Sequence, residues 1–128
     1  MKLLDSLYRI LPDAQEAHAV PADGTATYSL ALNAEHGIYK AHFPGNPITP
    51  GVCLVQMAVE LLSLHLGESL MLTCLGSTKF LKPVLPLEAG KVTFAIGYEK
   101  TGLAYSLNVT VTDGNAVCAR MKLVCNKY

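Results

Sequence analysis

Hydrophobic and polar residues alternate along four stretches of the chain with the two-residue period of a half-buried β-strand. These stretches begin at Thr25, Val92, Tyr105 and Val117. Two segments of turn composition separate the last three, Lys100-Thr101-Gly102 and Asp113-Gly114-Asn115. The pattern therefore predicts an antiparallel meander in the second half of the chain, preceded by one earlier strand.

The stretch from Gly51 to Leu66 is apolar on nearly every helical face, which is typical of a helix buried all round. Gly67 follows at the position of a helix C-cap. One buried helix and about five to six antiparallel strands leave few architectures, and the simplest wraps the sheet around the helix. We therefore predict an α+β fold with one long central helix over residues 51–66.

At the start of the chain, apolar residues recur at the spacing of an amphipathic helix until Pro12 ends the pattern. They are Leu3, Leu4, Leu7, Ile10 and Leu11. This spacing predicts a short helix that packs against the body of the domain.

The length and composition indicate one domain with much apolar surface to bury. The chain has 128 residues, which fits a single domain over residues 1–128. Its formal net charge is zero, so it lacks the basic field that favours binding to nucleic acid. With 51% hydrophobic and 16% charged residues, the composition favours a heavily buried fold or an oligomer that covers apolar surface between subunits.

Neither a membrane span nor a metal site is expected from the sequence. Gln56, Glu60 and His65 interrupt the long apolar stretch, whereas a spanning helix needs about 20 nearly uncharged residues. The first residues contain Asp5 and lack a small-residue cleavage site, so we expect a cytoplasmic protein. The cysteines form no CxxC pair, and we expect all four to be small core residues without a bound metal. They are Cys53, Cys74, Cys118 and Cys125.

A rigid segment, HFPGNPITPGV over residues 42–52, directly precedes the body of the predicted helix. Its prolines fix φ, and its glycines permit close backbone approach or dihedral angles that other residues avoid. Such a lead holds His42 in a fixed position. A helix that begins near Gly51 also points free N–H groups and a partial positive charge at whatever precedes it. This end of the helix therefore suits negative charge that develops on a carbonyl oxygen.

HFPGNPITPGV resembles the signature of the bacterial 3-hydroxyacyl-acyl-carrier-protein dehydratases, which reads roughly HFPGxPxxPGV. A second segment, TKFLKPVLP over residues 78–86, is similar to a later basic and aromatic segment of that family, which prolines also bound. The resemblance extends over about residues 25–126. It implies the hotdog fold, a long helix wrapped by an antiparallel sheet, in agreement with the pattern of hydrophobic residues.

The resemblance also implies residue roles in the elimination of water from a carrier-bound 3-hydroxyacyl thioester, without metal or other cofactor. His42 matches the family's base, and the N–H of Gly51 matches the group that polarises the thioester carbonyl. The family's acid, fourteen residues after the histidine, corresponds to Gln56, whose amide has no proton to give. Glu60 stands one turn later, where the family commonly has glutamine. In the family, the histidine and the carboxylate of one site come from different subunits.

Two roles for Glu60 fit the sequence. It is either a structural carboxylate bonded within the fold or a general acid on an otherwise apolar helix. Three functions follow from these alternatives. They are a dehydratase of fatty-acid or polyketide biosynthesis, a hotdog thioesterase that uses Glu60 to activate water, and an acyl-binding or partner subunit without its own acid.

The expected partners are proteins of two kinds. One is a second hotdog subunit, in a homodimer or a heterodimer, and the other is an acyl carrier protein that bears the substrate. Four basic residues are candidates for a rim that contacts an acidic carrier protein. They are Lys79, Lys82, Arg120 and Lys122.

Overall fold

The computed structural model describes residues 2–12, 23–41, 45, 47–86, 91–114 and 116–128. Within these ranges the chain forms six β-strands and two helices. The strands are β1 (Tyr8–Ile10), β2 (Gly24–Leu32), β3 (Leu70–Phe80), β4 (Val92–Thr101), β5 (Ala104–Asp113) and β6 (Ala116–Lys127). The helices are α1 (Ile38–Ala41) and α2 (Gly51–Leu66).

All six strands join one antiparallel sheet in the order β1-β2-β4-β5-β6-β3. The consecutive strands β4, β5 and β6 pair along nearly their whole length, so the predicted meander is confirmed. β3 follows α2 in the chain and lies at the far edge of the sheet, beside β6. Buried residues of α2 and of the strands form one hydrophobic core, which confirms an α+β fold built on one long helix.

α2 begins and ends where the sequence predicts, and Gly67 caps it with a φ of 67°, in the left-handed region that favours glycine. The prediction that this helix is buried all round is wrong on one face. Val52 is 68% exposed and Leu64 is 51% exposed. Gln56 lies four positions after Val52 and eight before Leu64, so the three residues lie on the side of the helix that the sheet leaves uncovered. No helix in the described ranges has both the length and the apolar character to cross a membrane.

The N-terminal segment does not form the predicted helix, so this prediction is wrong. The backbone turns at Asp5, whose φ is 66°, and then pairs as β1 with β2. This path buries Leu3, Leu7 and Tyr8. A short helix has little stability on its own, so tertiary contacts decide the conformation of this segment. In the folded chain this segment pairs with β2. The carboxylate of Glu60 on α2 also accepts hydrogen bonds from the N–H groups of residues 3 and 4.

β3 is irregular because its pairing with β6 shifts register twice. One shift lies between Leu72 and Cys74 and the other between Leu75 and Thr78, and each inserts one extra residue as a β-bulge. Most of β3 is exposed, since it is the edge strand of the sheet. The prediction that all four cysteines lie in the core is therefore wrong for Cys74, whereas the other three are buried.

Candidate functional site

The backbone just before α2 is held in place at Thr49, which is buried. Its backbone N–H donates to the carbonyl oxygen of Val84 over 2.9 Å. Its hydroxyl shares a hydrogen bond of 2.9 Å with the hydroxyl of Tyr39. Val84 belongs to the TKFLKPVLP segment, so the two segments that carry the sequence resemblance meet directly at the start of the helix.

The first turn of α2 presents backbone donors to its surroundings. Pro50 is the N-cap residue, with an extended backbone at φ −60° and ψ 144°. Its carbonyl oxygen accepts from the N–H groups of Cys53 and Leu54. The N–H groups of Gly51 and Val52 have no acceptor among the described residues, as is usual at a helix start. An oxygen atom of a ligand can therefore bind there.

The ring of Phe80 packs against Gly51. A Cβ atom at position 51 would lie 2.6 Å from Cζ of this ring, which is closer than real Cβ atoms approach. A larger residue at this position would therefore force the ring of Phe80 to move. Phe80 is itself 56% exposed, so its ring covers the start of α2 from the outside.

Gln56 and Glu60 form a connected pair on α2. They are four residues apart and share one face of the helix, as the spacing predicts. Nε2 of Gln56 donates to Oε2 of Glu60 over 2.9 Å. This bond assigns the orientation of the amide, because an ionised carboxylate only accepts hydrogen bonds.

Glu60 also accepts hydrogen bonds from the N-terminal segment. The N–H of Leu3 donates to Oε2 over 2.8 Å, and the N–H of Leu4 donates to Oε1 over 2.8 Å. The hydroxyl of Tyr8 donates to Oε1 over 3.1 Å. Burial and the charge of Glu60 raise the pKa of Tyr8, so the phenol keeps its proton and remains a donor. The carboxylate thus ties α2 to the start of the chain.

A cavity of about 560 Å³ opens beside Gln56 and Glu60. This volume lies in the usual range of small-molecule sites. Both apolar and charged side chains line the cavity. The aliphatic residues are Leu4, Val59, Leu64 and Leu70, and the charged residues besides Glu60 are Lys2 and Glu68.

The remaining titratable groups near the core are held in their neutral forms. Burial raises the pKa of Cys53, and it raises the pKa of Cys125 to about 11, so both stay thiols near neutral pH. Burial lowers the pKa of His65, whose Nδ1 lies 3.2 Å from the hydroxyl of Tyr28. Among the described residues, no group of three or more histidine, cysteine, aspartate or glutamate side chains is arranged to hold a metal ion.

The structure places three of the four residues predicted for the site on α2. Gly51 is its first residue, and Gln56 and Glu60 follow on one face. His42 lies outside the described residues. Sequence reasoning missed Tyr8 and the N–H groups of residues 3 and 4, because no local pattern connects the start of the chain with Glu60.

Solved structures of similar architecture identify the fold as a hotdog. A hot-dog-like protein from Thermanaerovibrio acidaminovorans has a TM-score of 0.60 at 16% identity, covering 83% of this chain and 82% of that one. The dehydratase heterocomplex ApeI:P from Xenorhabdus doucetiae has a TM-score of 0.66 at 18% identity, covering 84% and 91%. The fluoroacetyl-CoA thioesterase FlK has a TM-score of 0.61 at 17% identity, covering 85% and 88%. Identities this low establish a common fold and not a common activity.

The family follows from the sequence match. Residues 17–121 match the family model of the ApeI-like dehydratases, so the chain belongs to this family. One relative is the 3-hydroxyacyl-[acyl-carrier-protein] dehydratase FabZ of Haemophilus influenzae (strain PittEE). It is 28% identical over 102 residues, which are 73% of this chain and 68% of that protein. The resemblance noted at HFPGNPITPGV is thereby confirmed, and at the level of the family the chain is a dehydratase-type lyase.

Proposed function

We propose that this chain is one subunit of a dehydratase that acts on a 3-hydroxyacyl thioester bound to an acyl carrier protein. Its family and its similarity to FabZ support this reaction. The reaction removes a proton from the α carbon and expels the β hydroxyl as water, so it needs a base, an oxyanion donor and an acid. We place it in the biosynthesis of fatty acids or of polyketides, including polyenes.

The start of α2 provides the oxyanion donor in this proposal. A thioester carbonyl beside Gly51 would accept its N–H and would lie at the positive end of the helix dipole. The bonds of Thr49 and the packing of Phe80 hold this backbone in place. His42, nine residues before the start of the helix in the sequence, is the base.

The hydrogen bonds of Gln56 and Glu60 carry the proposal that the acid comes from another subunit. An amide at position 56 cannot release a proton near neutral pH. Glu60 has a carboxylate, but its oxygens already accept from Gln56 and from three donors of the N-terminal segment. Turning towards a substrate would leave those donors unsatisfied, which is costly in a partly buried site. We therefore assign Glu60 a structural role.

An exposed apolar face supports assembly with a second subunit. β3 is an edge strand of 11 residues, and long apolar edges are normally covered. Leu75 on β3 and Val52 and Leu64 on α2 are each more than half exposed, and these two elements are in contact. A subunit bound to this face would lie next to Gln56, which shares the helix face of Val52. That the similarly folded ApeI:P is a heterocomplex supports a second subunit of different sequence.

The test compares this chain alone with the chain bound to a second hotdog subunit that has a carboxylate at the position equivalent to Gln56. The reaction measured is hydration of a 2-enoyl carrier thioester. We expect turnover by the pair, and a rate lower by on the order of 10² to 10⁴ for the chain alone, the usual contribution of one acid–base group. His42→Ala should abolish turnover by the pair, whereas His36→Ala should preserve it. Equal turnover with and without the second subunit would contradict the proposal.

Two alternatives give different results in the same assays. In a thioesterase, which the similar fold of FlK favours, Glu60 would activate water and His42→Ala would leave thioester hydrolysis intact. In an acyl-binding subunit, the pair would bind the acyl carrier tightly without turnover.

A further inference from the structure

The outer face of the sheet carries a basic recess where β3, β5 and β6 run side by side. The recess has a volume of about 370 Å³. Arg120 and Lys122 alternate along β6 with buried residues, so they point away from the core. Lys79 lies directly opposite Arg120 in the pairing of β3 with β6, so its side chain projects from the same face of the sheet. The polar and charged residues that line the recess are Ser77, Lys79, Asn108, Thr110, Arg120 and Lys122.

The second β-bulge of β3 brings these cations together. The register pairs on its two sides are Leu75 with Leu123 and Thr78 with Met121. Without the extra residue, Lys79 would be opposite Ala119, which is buried in the core. The bulge turns Lys79 outwards beside Arg120, and it turns Phe80 inwards to Gly51.

The charge of this cluster is not balanced within the described part of the chain. None of Lys79, Arg120 and Lys122 has a carboxylate within salt-bridge distance there, and Asp113 pairs with Lys82 at 3.0 Å. Directly opposed residues are about 5 Å apart and alternate residues about 7 Å apart, so the three charges are concentrated. The chain has a formal net charge of zero, so overall basicity does not explain the cluster. An anion would relieve its repulsion.

We propose that this recess binds a phosphate group. A phosphomonoester carries up to two negative charges and three strong acceptor oxygens, which match three cations. The hydroxyls of Ser77 and Thr110 and the amide of Asn108 add neutral donors. These groups lie on three adjacent strands around a small volume, which suits a compact anion better than an extended acidic protein surface. The phosphate belongs either to a free metabolite or to the phosphate-bearing handle of a thioester such as coenzyme A.

Titration of the whole chain with glycerol 1-phosphate, followed by backbone amide NMR shifts, tests the site. We expect saturable binding that strengthens as the pH rises through about 6, where a phosphomonoester loses its second proton. Arg120→Gln and Lys79→Gln should each weaken binding roughly tenfold, through the loss of a charge-assisted hydrogen bond. Lys40→Gln, which removes an exposed lysine on α1, should bind like the wild type.

Coenzyme A and dephospho-coenzyme A distinguish the two sources of phosphate. Coenzyme A that binds more tightly than both dephospho-coenzyme A and glycerol 1-phosphate identifies the 3′-phosphate of a thioester handle, and binding of glycerol 1-phosphate without either coenzyme identifies a free metabolite. Shifts that do not saturate, shifts unchanged in Arg120→Gln, or binding of an acidic carrier protein only would overturn the proposal. If one variant misfolds, Lys122→Gln replaces it. Since the readout is binding rather than turnover, this result is independent of the dehydratase proposal.

Discussion

Nε2 of Gln56 and Oε2 of Glu60 are joined by a hydrogen bond of 2.9 Å on α2. The resemblance to the dehydratases places a carboxylate at the first position and commonly a glutamine at the second. We propose that the two groups are exchanged in this chain, so that the amide of Gln56 stands where the family's acid is expected. The carboxylate of Glu60 instead accepts from Gln56 and from the N-terminal segment.

Removing the charge of Glu60 should destabilise the fold. In Glu60→Gln, an NH₂ group replaces one of the two acceptor oxygens and faces the N–H of Leu3 or that of Leu4. We expect the free energy of unfolding to fall by about 1–3 kcal/mol, the usual cost of leaving a buried donor unsatisfied. Urea unfolding measures this change. The control Glu99→Gln, at an exposed position of β4, should change it by less than about 0.5 kcal/mol. Equal effects would contradict the anchoring role.

The effect of Gly51→Ala should depend on Phe80. In the Phe80 background, the added Cβ would lie 2.6 Å from the ring, so the exposed ring must move, and we expect a cost of about 1 kcal/mol of unfolding free energy, the low end for overpacking. In the Phe80→Ala background the clash is absent, and replacing a helical glycine by alanine should stabilise by about 0.5–1 kcal/mol. A double-mutant cycle in urea measures both values. The same sign in both backgrounds would show that the ring does not restrict this position.

His65 should make the stability depend on pH below its ordinary pKa of 6.5. Burial lowers the pKa in the folded state, so the unfolded chain binds the proton more readily. The contribution of His65 is thus fully present above pH 6.5 and is lost as the pH falls towards the lower folded value. The free energy of unfolding, measured in urea between about pH 5 and 7.5, should decrease as the pH falls. His65→Gln should weaken this dependence on pH. An equally strong pH dependence in His65→Gln would contradict this assignment.

The parts of the fold that were predictable are those in which local pattern and tertiary packing agree. β4, β5 and β6 alternate regularly because one face of each strand packs on the core. The bounds of α2 follow from its apolar run and from Gly67. β3 was not recognisable as a strand by alternation, because two bulges break its period and its faces are mostly exposed.

The residues of the candidate site on α2 could be predicted from the sequence, but their hydrogen-bond partners and contacts could not. The i,i+4 spacing places Gln56 and Glu60 together without further information. The role of Glu60 depends on N–H groups 56 and 57 positions away in sequence, which no periodicity reveals. The contact of Gly51 with Phe80 likewise arises from a bulge in β3, so its geometry appears only in three dimensions.

A charge on β3 should weaken subunit association. Leu75 is 54% exposed in the single chain, and the proposed second subunit would cover it. Leu75→Lys should weaken association by roughly tenfold or more, because burying an unpaired ammonium costs well above about 1.4 kcal/mol. Sedimentation over a range of concentrations measures this. Leu103→Lys, at an 80% exposed position in the turn between β4 and β5, should leave association unchanged. Equal effects would place the interface elsewhere.

The most direct test of the missing acid is the rate at which the chain alone hydrates a 2-enoyl carrier thioester before and after Gln56→Glu. The new carboxylate would lie beside Glu60, and two such close carboxylates share one proton, which suits a general acid. We predict a rate increase on the order of 10² to 10⁴. An unchanged rate in Gln56→Glu, together with loss of wild-type turnover in a folded Glu60→Gln variant, would instead make Glu60 the acid and contradict its role as a structural anchor.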